Sequence, residues 1–201
     1  MIGHFAITGG IGSGKSYVCH TLEAYGIKVY DCDAAAKRLW ATDRALQNGL
    51  KAIVGDEVYK DGNLQKGVLA TFLLQSVSNK LAVDNLVHPA VALDFLQSGL
   101  RWLESAVFFD SGFYKRLVFD FTVCVSAPLD VRVERVMRRD GISRERAMEW
   151  MARQWPQEEV ERHSDFVIVN DGHRDLNEQV MEMLNRLNQL NLSSNRQHIN
   201  Y

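Results

Sequence analysis

The sequence has no long apolar run, no strong charge of either sign and few cysteines. No stretch approaches the roughly 18 apolar residues that a membrane span needs, and the N-terminus lacks the basic segment of a secretory signal. The formal net charge is −2, so the chain has no global basic field that would draw it to nucleic acid or anionic lipid. We therefore expect a soluble, cytoplasmic protein whose partners are neither nucleic acids nor membranes.

Cysteine is scarce, and its three residues are too far apart to suggest a shared site. Cys19, Cys32 and Cys124 form no C-x-x-C pair. This spacing favours buried thiols in a reducing compartment over a disulfide or a metal site. Internal repeats and low-complexity blocks are also absent, so a chain of 201 residues predicts one compact domain with room for an inserted lobe.

The sequence does contain a series of short apolar runs separated by helical patterns. The runs cover residues 2–8, 27–30, 106–109, 118–125 and 166–169. Residues 33–104 have a helical pattern, with breaks near Gly55 and at residues 61–63, and no strand is expected there. Short apolar strands that alternate with helices predict an α/β fold with a five-stranded parallel sheet covered on both faces.

A phosphate-binding motif follows the first run. Residues 9–16 read Gly-Gly-Ile-Gly-Ser-Gly-Lys-Ser, which matches G-x-x-x-x-G-K-[ST] between a strand and a helix. Glycines allow positive φ and let backbone N–H groups point at phosphate oxygens, and the helix that begins here adds its positive end. Lys15 is predicted to reach the β- and γ-phosphates, and the Ser16 hydroxyl to hold Mg²⁺. The residues expected to bind ATP are Gly10, Ile11, Gly12, Ser13, Gly14, Lys15, Ser16 and Tyr17.

The motif predicts phosphate binding but leaves the reaction open. The guanine-binding N-K-x-D pattern is absent, because the Asn79-Lys80 pair has no aspartate two residues later, and no aspartate has a glycine three residues after it. These absences argue against a GTPase. A mechanical ATPase usually has a longer chain and an apolar run that ends in paired acids, whereas the run at 106–109 is followed by Asp110 alone. A small kinase fits the length best.

A kinase also needs a carboxylate near the acceptor hydroxyl. Asp31 and Asp33 follow the second apolar run, at the edge that faces the ligand crevice in an open α/β sheet. Asp33 could accept or orient the acceptor's proton, or hold Mg²⁺ through water. Alternatively, both acids only begin the next helix, where negative charge is favourable. His88, before Pro89, is a weaker candidate, because a lone histidine is more often a core or helix-end residue.

The last requirement is a set of mobile cations that cover the transferring phosphoryl group. Residues 132–153 contain seven arginines, and no lysine follows Lys115. Guanidinium groups grip phosphate oxygens in pairs, so an arginine-rich helical hairpin broken at Gly141 predicts a lid over residues 132–154. The acids nearby leave the alternative that most of these arginines form solvent-exposed pairs along the helices.

Together these motifs resemble those of the dephospho-CoA kinase family, which catalyses the last step of coenzyme A synthesis. The resemblance extends over about residues 1–175 in the family's order. The ordered set is much more specific than the phosphate loop, which many kinases share. The matching segments are Thr8 to Ser16, Asp31-x-Asp33, His88-Pro89, Val107 to Asp110, Arg138 to Gly141 with Ser143 to Glu145, Gln154, and residues 165–170 with Gly172.

The resemblance implies ATP-dependent phosphorylation of the ribose 3′-hydroxyl of dephospho-CoA. It implies a single domain with a P-loop nucleotide-kinase-like core, residues 1–32 and 105–201, and an inserted helical acceptor-binding lobe, residues 33–104. It makes Asp33 the carboxylate nearest the acceptor hydroxyl, and it adds His88 and Asp110 to the acceptor site. The ligands expected are ATP, Mg²⁺ and this small-molecule acceptor, bound by a monomer or a weak homo-oligomer.

Three positions depart from the family pattern. The family usually has a proline at Ala106 and a glutamate at Asp110, so the carboxylate here is one methylene shorter. It usually has an arginine four residues before the lid glutamine, where this chain has Trp150. Arg153, beside Gln154, could replace that arginine, although a shift of three residues turns the side chain around the helix.

Arg139 is the predicted lid contact with nucleotide phosphate, and with Lys15 and Asp33 it completes the predicted catalytic set. Two alternatives stay open. The chain could phosphorylate another small acceptor, such as a nucleoside, a nucleotide or a shikimate-like molecule. It could also sense ATP without transferring phosphate, in which case it would bind ATP tightly and release no ADP in response to an acceptor. The three departures are the only support for the second alternative.

Overall fold

Five parallel strands form the central sheet of the protein. The computed structural model describes the backbone of residues 3–197 and the side chains of residues 3–190. Within residues 3–197 the strands, including two outside the central sheet, are β1 Phe5–Thr8, β2 Val29–Asp31, β3 Tyr59–Lys60, β4 Asn63–Leu64, β5 Trp102–Glu104, β6 Phe121–Ser126 and β7 Phe166–Val169. The sheet has the order β2-β5-β1-β6-β7, and β3 and β4 form a separate antiparallel hairpin.

Helices connect the strands and cover both faces of the sheet. They are α1 Lys15–Ala24, α2 Cys32–Thr42, α3 Arg44–Val54, α4 Lys66–Gln75, α5 Val77–Ser98, α6 Leu129–Asp140, α7 Arg144–Met151, α8 Gln157–Arg162 and α9 Leu176–Gln197. Within residues 3–197, none of them is long and apolar enough to cross a bilayer.

Strand β1 shows how the sheet is buried on both sides. Phe5 and Ile7 pack with α1 and α9 in one apolar layer, whereas Ala6 packs toward the helices that follow β2 in another. Because both faces are covered, every residue of the central strands β1 and β6 is buried, and most are apolar, instead of apolar and exposed polar residues alternating. The predicted five-stranded parallel sheet is therefore confirmed.

The lobe between β2 and β5 consists of α2 to α5 and the small hairpin. Leu50, Val58 and Phe95 are fully buried at its centre. The predicted breaks are confirmed: α3 ends at Gly55, and the hairpin turns at Asp61 and Gly62, whose φ values are 51° and 76°. The hairpin itself was not predicted, because two-residue strands carry no readable periodicity.

Helices α6 and α7 form the predicted arginine-rich hairpin. Helix α6 ends at Gly141, which has a φ of 65° and so reverses the chain in a conformation that glycine adopts readily. Val133, Val136, Ala147 and Met151 are buried between the two helices. This small core keeps the two helices of the hairpin together.

The predicted third strand was wrong in position. The strand is Trp102–Glu104, so the last residues assigned to the lobe belong to the central sheet, where they pair with both β1 and β2. The apolar run at 106–109 is a buried turn instead. Phe108 and Phe109 fill the lobe side of the core, 5.1 Å apart and nearly perpendicular. Helix α5 contains Pro89 within its length.

Candidate active site

The phosphate loop lies between β1 and α1, at the carboxyl end of the central strand. Lys15 opens α1 and is buried, whereas Ser16 in the first turn is exposed. Gly14 caps the helix with a φ of 90°, a value that L side chains rarely adopt. A Cβ at this position would also lie 2.1 Å from Asn170 Nδ2. Both the backbone and the packing therefore require a glycine here.

Side chains from α6 and from the end of β7 brace this loop. Arg132 Nε donates to Ile11 O at 3.0 Å, and Arg132 Nη1 donates to Gln157 Oε1 at 2.7 Å. Asn170 Nδ2 donates to Ser13 O at 2.9 Å. The bonds to Ile11 O and Ser13 O use carbonyl oxygens of the loop, whereas loops of this type bind phosphate through their N–H groups. Arg132 and Asn170 thus brace the loop through groups that a phosphate does not use.

A buried carboxylate lies opposite the lysine of the loop. Glu104 ends β5, in register with Ile7 of β1 and Asp31 of β2, and its Oε1 atom lies 3.6 Å from Lys15 Nζ. Burial raises the pKa of Glu104, the charge of Lys15 opposes this rise, and the carboxylates of Asp31 and Asp33 add to it. This edge of the sheet therefore gathers negative charge beside the phosphate loop.

The two predicted aspartates have different partners. Asp31 Oδ1 accepts a hydrogen bond from the Ala34 N–H at 2.8 Å, so Asp31 caps α2. Asp33 lies in the first turn of the same helix, is exposed, and lines the cavity described next. Capping accounts for Asp31, which leaves Asp33 as the carboxylate available to a ligand.

A cavity of about 740 Å³ opens between the lobe, the loop after β5 and the hairpin of α6 and α7. This volume is within the range of roughly 300–1,000 Å³ that is usual for small-molecule sites. Its apolar wall includes Ala36, Trp40, Leu69, Leu73, Val83, Val87 and Val91, with the buried Cys32 at one side. Its charged residues are Asp33, Lys80, Asp84, Arg146 and Arg153.

His88 also lines this cavity. Its Nε2 atom lies 3.6 Å from Asp84 Oδ1, and its ring meets Phe113 edge-on at 5.8 Å. Burial lowers the pKa of His88 against the opposing charge of Asp84, so the ring is neutral at pH 7. Its Nδ1 atom is enclosed and has no hydrogen-bond partner among the described residues. A neutral ring is suited to an uncharged part of a ligand.

Four of the seven lid arginines fall into two groups by what they contact. Arg135, like Arg132, reaches the phosphate loop, with Nη1 at 3.4 Å from the carbonyl oxygens of Gly12 and Ser13. Arg146 and Arg153 instead line the cavity. The hairpin therefore presents positive charge to both sides of the site.

Two predicted site residues are engaged elsewhere. Arg139 donates to the Asp140 carboxylate at 3.0 and 2.7 Å, and 61% of its side chain is exposed. Asp110 accepts a hydrogen bond from the Trp155 N–H. Neither lines the cavity formed by the described residues. The contacts expected of Arg139 with phosphate and of Asp110 with the acceptor stay predictions.

Sequence reasoning missed Glu104, which the structure places closest to the lysine of the loop. The signal was present but weak: Glu104 follows two apolar residues, Trp102 and Leu103, that form the strand next to β1. Assigning the third strand to 106–109 moved the expected carboxylate to Asp110. A strand ending two residues before Ala106 would have placed Glu104 at the ligand edge.

The sequence matches the family model for dephospho-CoA kinase over residues 4–175. The chain belongs to the dephospho-CoA kinase family. A curated relative, the dephospho-CoA kinase of Bacteroides fragilis strain YCH46, is 40% identical over 185 residues, which cover 89% of each chain. Dephospho-CoA kinases therefore share with this chain the region that holds the phosphate loop, the lobe and the lid.

Solved structures share the fold of this chain. A crystal structure from Thermus thermophilus is 33% identical and superposes with a TM-score of 0.77, covering 90% of this chain and 94% of that one. The dephospho-CoA kinase of Campylobacter jejuni, at 21% identity, a TM-score of 0.64 and coverage of 94% and 98%, shares the fold. The family confirms the predicted enzyme class, an ATP-dependent kinase of dephospho-CoA in coenzyme A biosynthesis.

Proposed function

We propose that this site transfers the γ-phosphoryl group of ATP, bound with Mg²⁺, to the ribose 3′-hydroxyl of dephospho-CoA. One observation carries the proposal: the phosphate loop and the cavity meet at one edge of the sheet, where Asp33 lies on the cavity wall. Membership of the dephospho-CoA kinase family supports both the donor and the acceptor.

The donor phosphates fit the loop at residues 10–16. A groove of about 550 Å³ continues from the loop and is lined by Gly14, Tyr17, Arg135, Asn170 and Arg174, among others. We assign the nucleoside end of ATP to this groove, because it is the open space that adjoins the first turn of α1 on the side away from the acceptor cavity. Tyr17, predicted to bind the nucleotide, is 57% exposed there.

The residues at the sheet edge fit a magnesium ion that is shared with phosphate. Ser16 offers an exposed hydroxyl, and Glu104 and Asp33 supply carboxylate charge nearby. Among the described residues, no three His, Cys, Asp or Glu side chains are grouped to hold a metal alone. Mg²⁺ typically takes one or two protein ligands together with phosphate oxygens and water. When bound, the ion neutralises charge that develops on the transferring phosphoryl group.

The cavity wall suits a large, amphipathic acceptor that carries phosphate. Its apolar side chains can cover a base and an alkyl chain, and Lys80, Arg146 and Arg153 can bind a diphosphate. A small polyol would leave most of the apolar wall exposed. The chemistry of the wall therefore favours dephospho-CoA over the shikimate-like acceptors that the sequence alone left open.

In this arrangement Asp33 orients the acceptor hydroxyl and receives its proton as the new O–P bond forms. Lys15 binds the transferring phosphoryl oxygens, and Glu104 holds Lys15 in place at 3.6 Å. The arginines of α6 and α7, with Arg139 still the predicted phosphate contact, exclude water when the lid is closed. The division into core, lobe and lid, the cytoplasmic location and the monomeric or weakly associated state are part of this proposal.

The test is ADP release from ATP and Mg²⁺, with and without dephospho-CoA, by wild type and Asp33→Asn. We expect release that depends on dephospho-CoA, and a loss of about 100-fold or more in the variant, as for removal of a general base. Asp130→Asn is the matched control, because Asp130 is also an exposed acid in the first turn of a helix. ADP release that does not depend on dephospho-CoA would refute the proposed function. Full activity of Asp33→Asn would refute the proposed role of Asp33.

A further inference from the structure

The side chain of Gln154 joins two loops that serve different substrates. The Ile11 N–H of the phosphate loop donates to Gln154 Oε1 at 2.7 Å, and Gln154 Nε2 donates to Ala106 O at 3.2 Å. The Ile11 N–H can only donate and the Ala106 carbonyl can only accept, so these two groups fix which way the carboxamide of Gln154 points. One side chain thus spans the donor side and the acceptor side of the site.

The loop that contains Ala106 forms part of the cavity wall, through Ser105 and Val107. Trp155, the residue after Gln154, holds the far end of the same loop. Its N–H donates to the Asp110 carboxylate, and its ring is stacked on Phe109 with centroids 5.9 Å apart and planes 13° from parallel. Residues 154 and 155 therefore fasten the acceptor-side loop at two points, and among the described residues only Gln154 hydrogen-bonds both this loop and the phosphate loop.

We propose that Gln154 is a positioning residue that sets the separation between the phosphoryl donor and the acceptor hydroxyl. The inference rests on the proposed function, since it concerns the same two substrates. Phosphoryl transfer needs an in-line approach, and a misplacement of about 1 Å can cost about 100-fold in rate. Because Gln154 acts through the two loops, its removal lowers kcat more than it raises the KM of either substrate.

The decisive variant is Gln154→Glu, because its hydrogen-bonding ability changes with pH. An ionised glutamate accepts from the Ile11 N–H but has nothing to donate to the Ala106 carbonyl, so the link is broken. A protonated glutamate restores both bonds, one oxygen accepting and the hydroxyl donating. We expect kcat about 10–100-fold below wild type at pH 8, with KM values within about threefold, and a ratio to wild type that recovers as the pH falls toward 5.

Gln179→Glu is the matched control. Gln179 makes the same pair of bonds and lines neither the cavity nor the nucleotide groove: Val169 N–H donates to its Oε1 at 2.7 Å, and its Nε2 donates to Val169 O at 3.0 Å. The stability of Gln179→Glu should depend on pH, and its kcat should equal that of wild type. Asp110, which accepts from the neighbouring Trp155 N–H, and the substrates are the same in wild type and variant, so effects of pH that arise outside residue 154 are common to the two proteins and cancel in the ratio.

The outcomes separate this inference from the function on which it rests. No dephospho-CoA-dependent turnover in wild type would refute the proposed function. Normal wild-type turnover with a Gln154→Glu kcat that stays within twofold at pH 8, or a deficit that does not change with pH, would refute the role of Gln154. Gln154→Met, which keeps length without charge or hydrogen bonds, covers the case in which Gln154→Glu does not fold. It should show the same loss of kcat at every pH.

Discussion

Replacing Glu104 by glutamine tests the carboxylate that the sequence did not single out. Glu104 Oε1 lies 3.6 Å from Lys15 Nζ, where two unit charges attract by about 4–5 kcal/mol at an effective dielectric constant of ~20. The amide keeps the shape of the side chain but removes this attraction. Lys15 then loses the group that directs it toward the phosphates. We expect kcat to fall by about 10²–10³-fold, as when one oriented electrostatic contact is removed from an active site.

Although Glu104→Gln should lower kcat, it should raise the stability of the fold relative to wild type at high pH. Burial and the carboxylates of Asp31 and Asp33, against the charge of Lys15, raise the pKa of Glu104 in the folded chain. The folded state then binds this proton more tightly than the unfolded state does. Glu104 therefore supports folding at low pH and opposes it once the pH exceeds its folded pKa. Glutamine does not titrate, so the variant should gain stability relative to wild type as the pH rises.

The assay combines dephospho-CoA-dependent ADP release with urea unfolding, followed by circular dichroism at about pH 5 and about pH 8. Glu134→Gln, an exposed glutamate of α6, is the control for the loss of one negative charge. A kcat within threefold of wild type would show that Glu104 does not orient Lys15. A free energy of unfolding of Glu104→Gln that falls relative to wild type as the pH rises would contradict the sign of the pKa shift.

Two further substitutions probe the phosphate loop. Lys15→Ala should abolish most phosphoryl transfer while the chain stays folded. ADP release measures the transfer, and a melting curve checks the fold. Unchanged turnover would refute the assignment of the loop as the phosphate site. Gly14→Ala should destabilise the fold by about 1.5–3.5 kcal/mol, the sum of a positive-φ penalty of about 1–2 and the displaced Asn170–Ser13 hydrogen bond. Gly26 has a φ of 75° and open space around it, so Gly26→Ala should lose only the positive-φ penalty of about 1–2 kcal/mol in urea unfolding. Equal losses of stability in the two variants would show that the clash with Asn170 costs nothing.

The features that the sequence predicted are those encoded by neighbouring residues. The phosphate loop needs its glycines within eight positions, and the helix after it begins where the motif says. The break at Gly141 and the turn at Asp61 and Gly62 are likewise local, since each depends on the backbone freedom of one or two residues. The family resemblance then supplied the order of the motifs.

What the sequence could not show depends on contacts between distant segments. Strand β5 is three residues long and forms because it pairs with β1 and β2 at once, which no local period reveals. The contact of Arg132 with the phosphate loop follows from how α6 packs on the loop. The use of Asp31 as a cap and of Asp33 as a cavity residue is also set by where β2 ends.

The acceptor cavity contains a thiol of low reactivity, that of Cys32. Cys32 is buried, and burial raises its pKa, with the carboxylates of Glu104, Asp33 and Asp31 adding to the effect. Thiol–disulfide exchange proceeds through the thiolate, so a thiol that keeps its proton reacts slowly. Dephospho-CoA and coenzyme A both end in a thiol. In the proposed function, burial and the negative edge of the site therefore also keep the oxidised dimers of these molecules from exchanging with Cys32 to form a mixed disulfide.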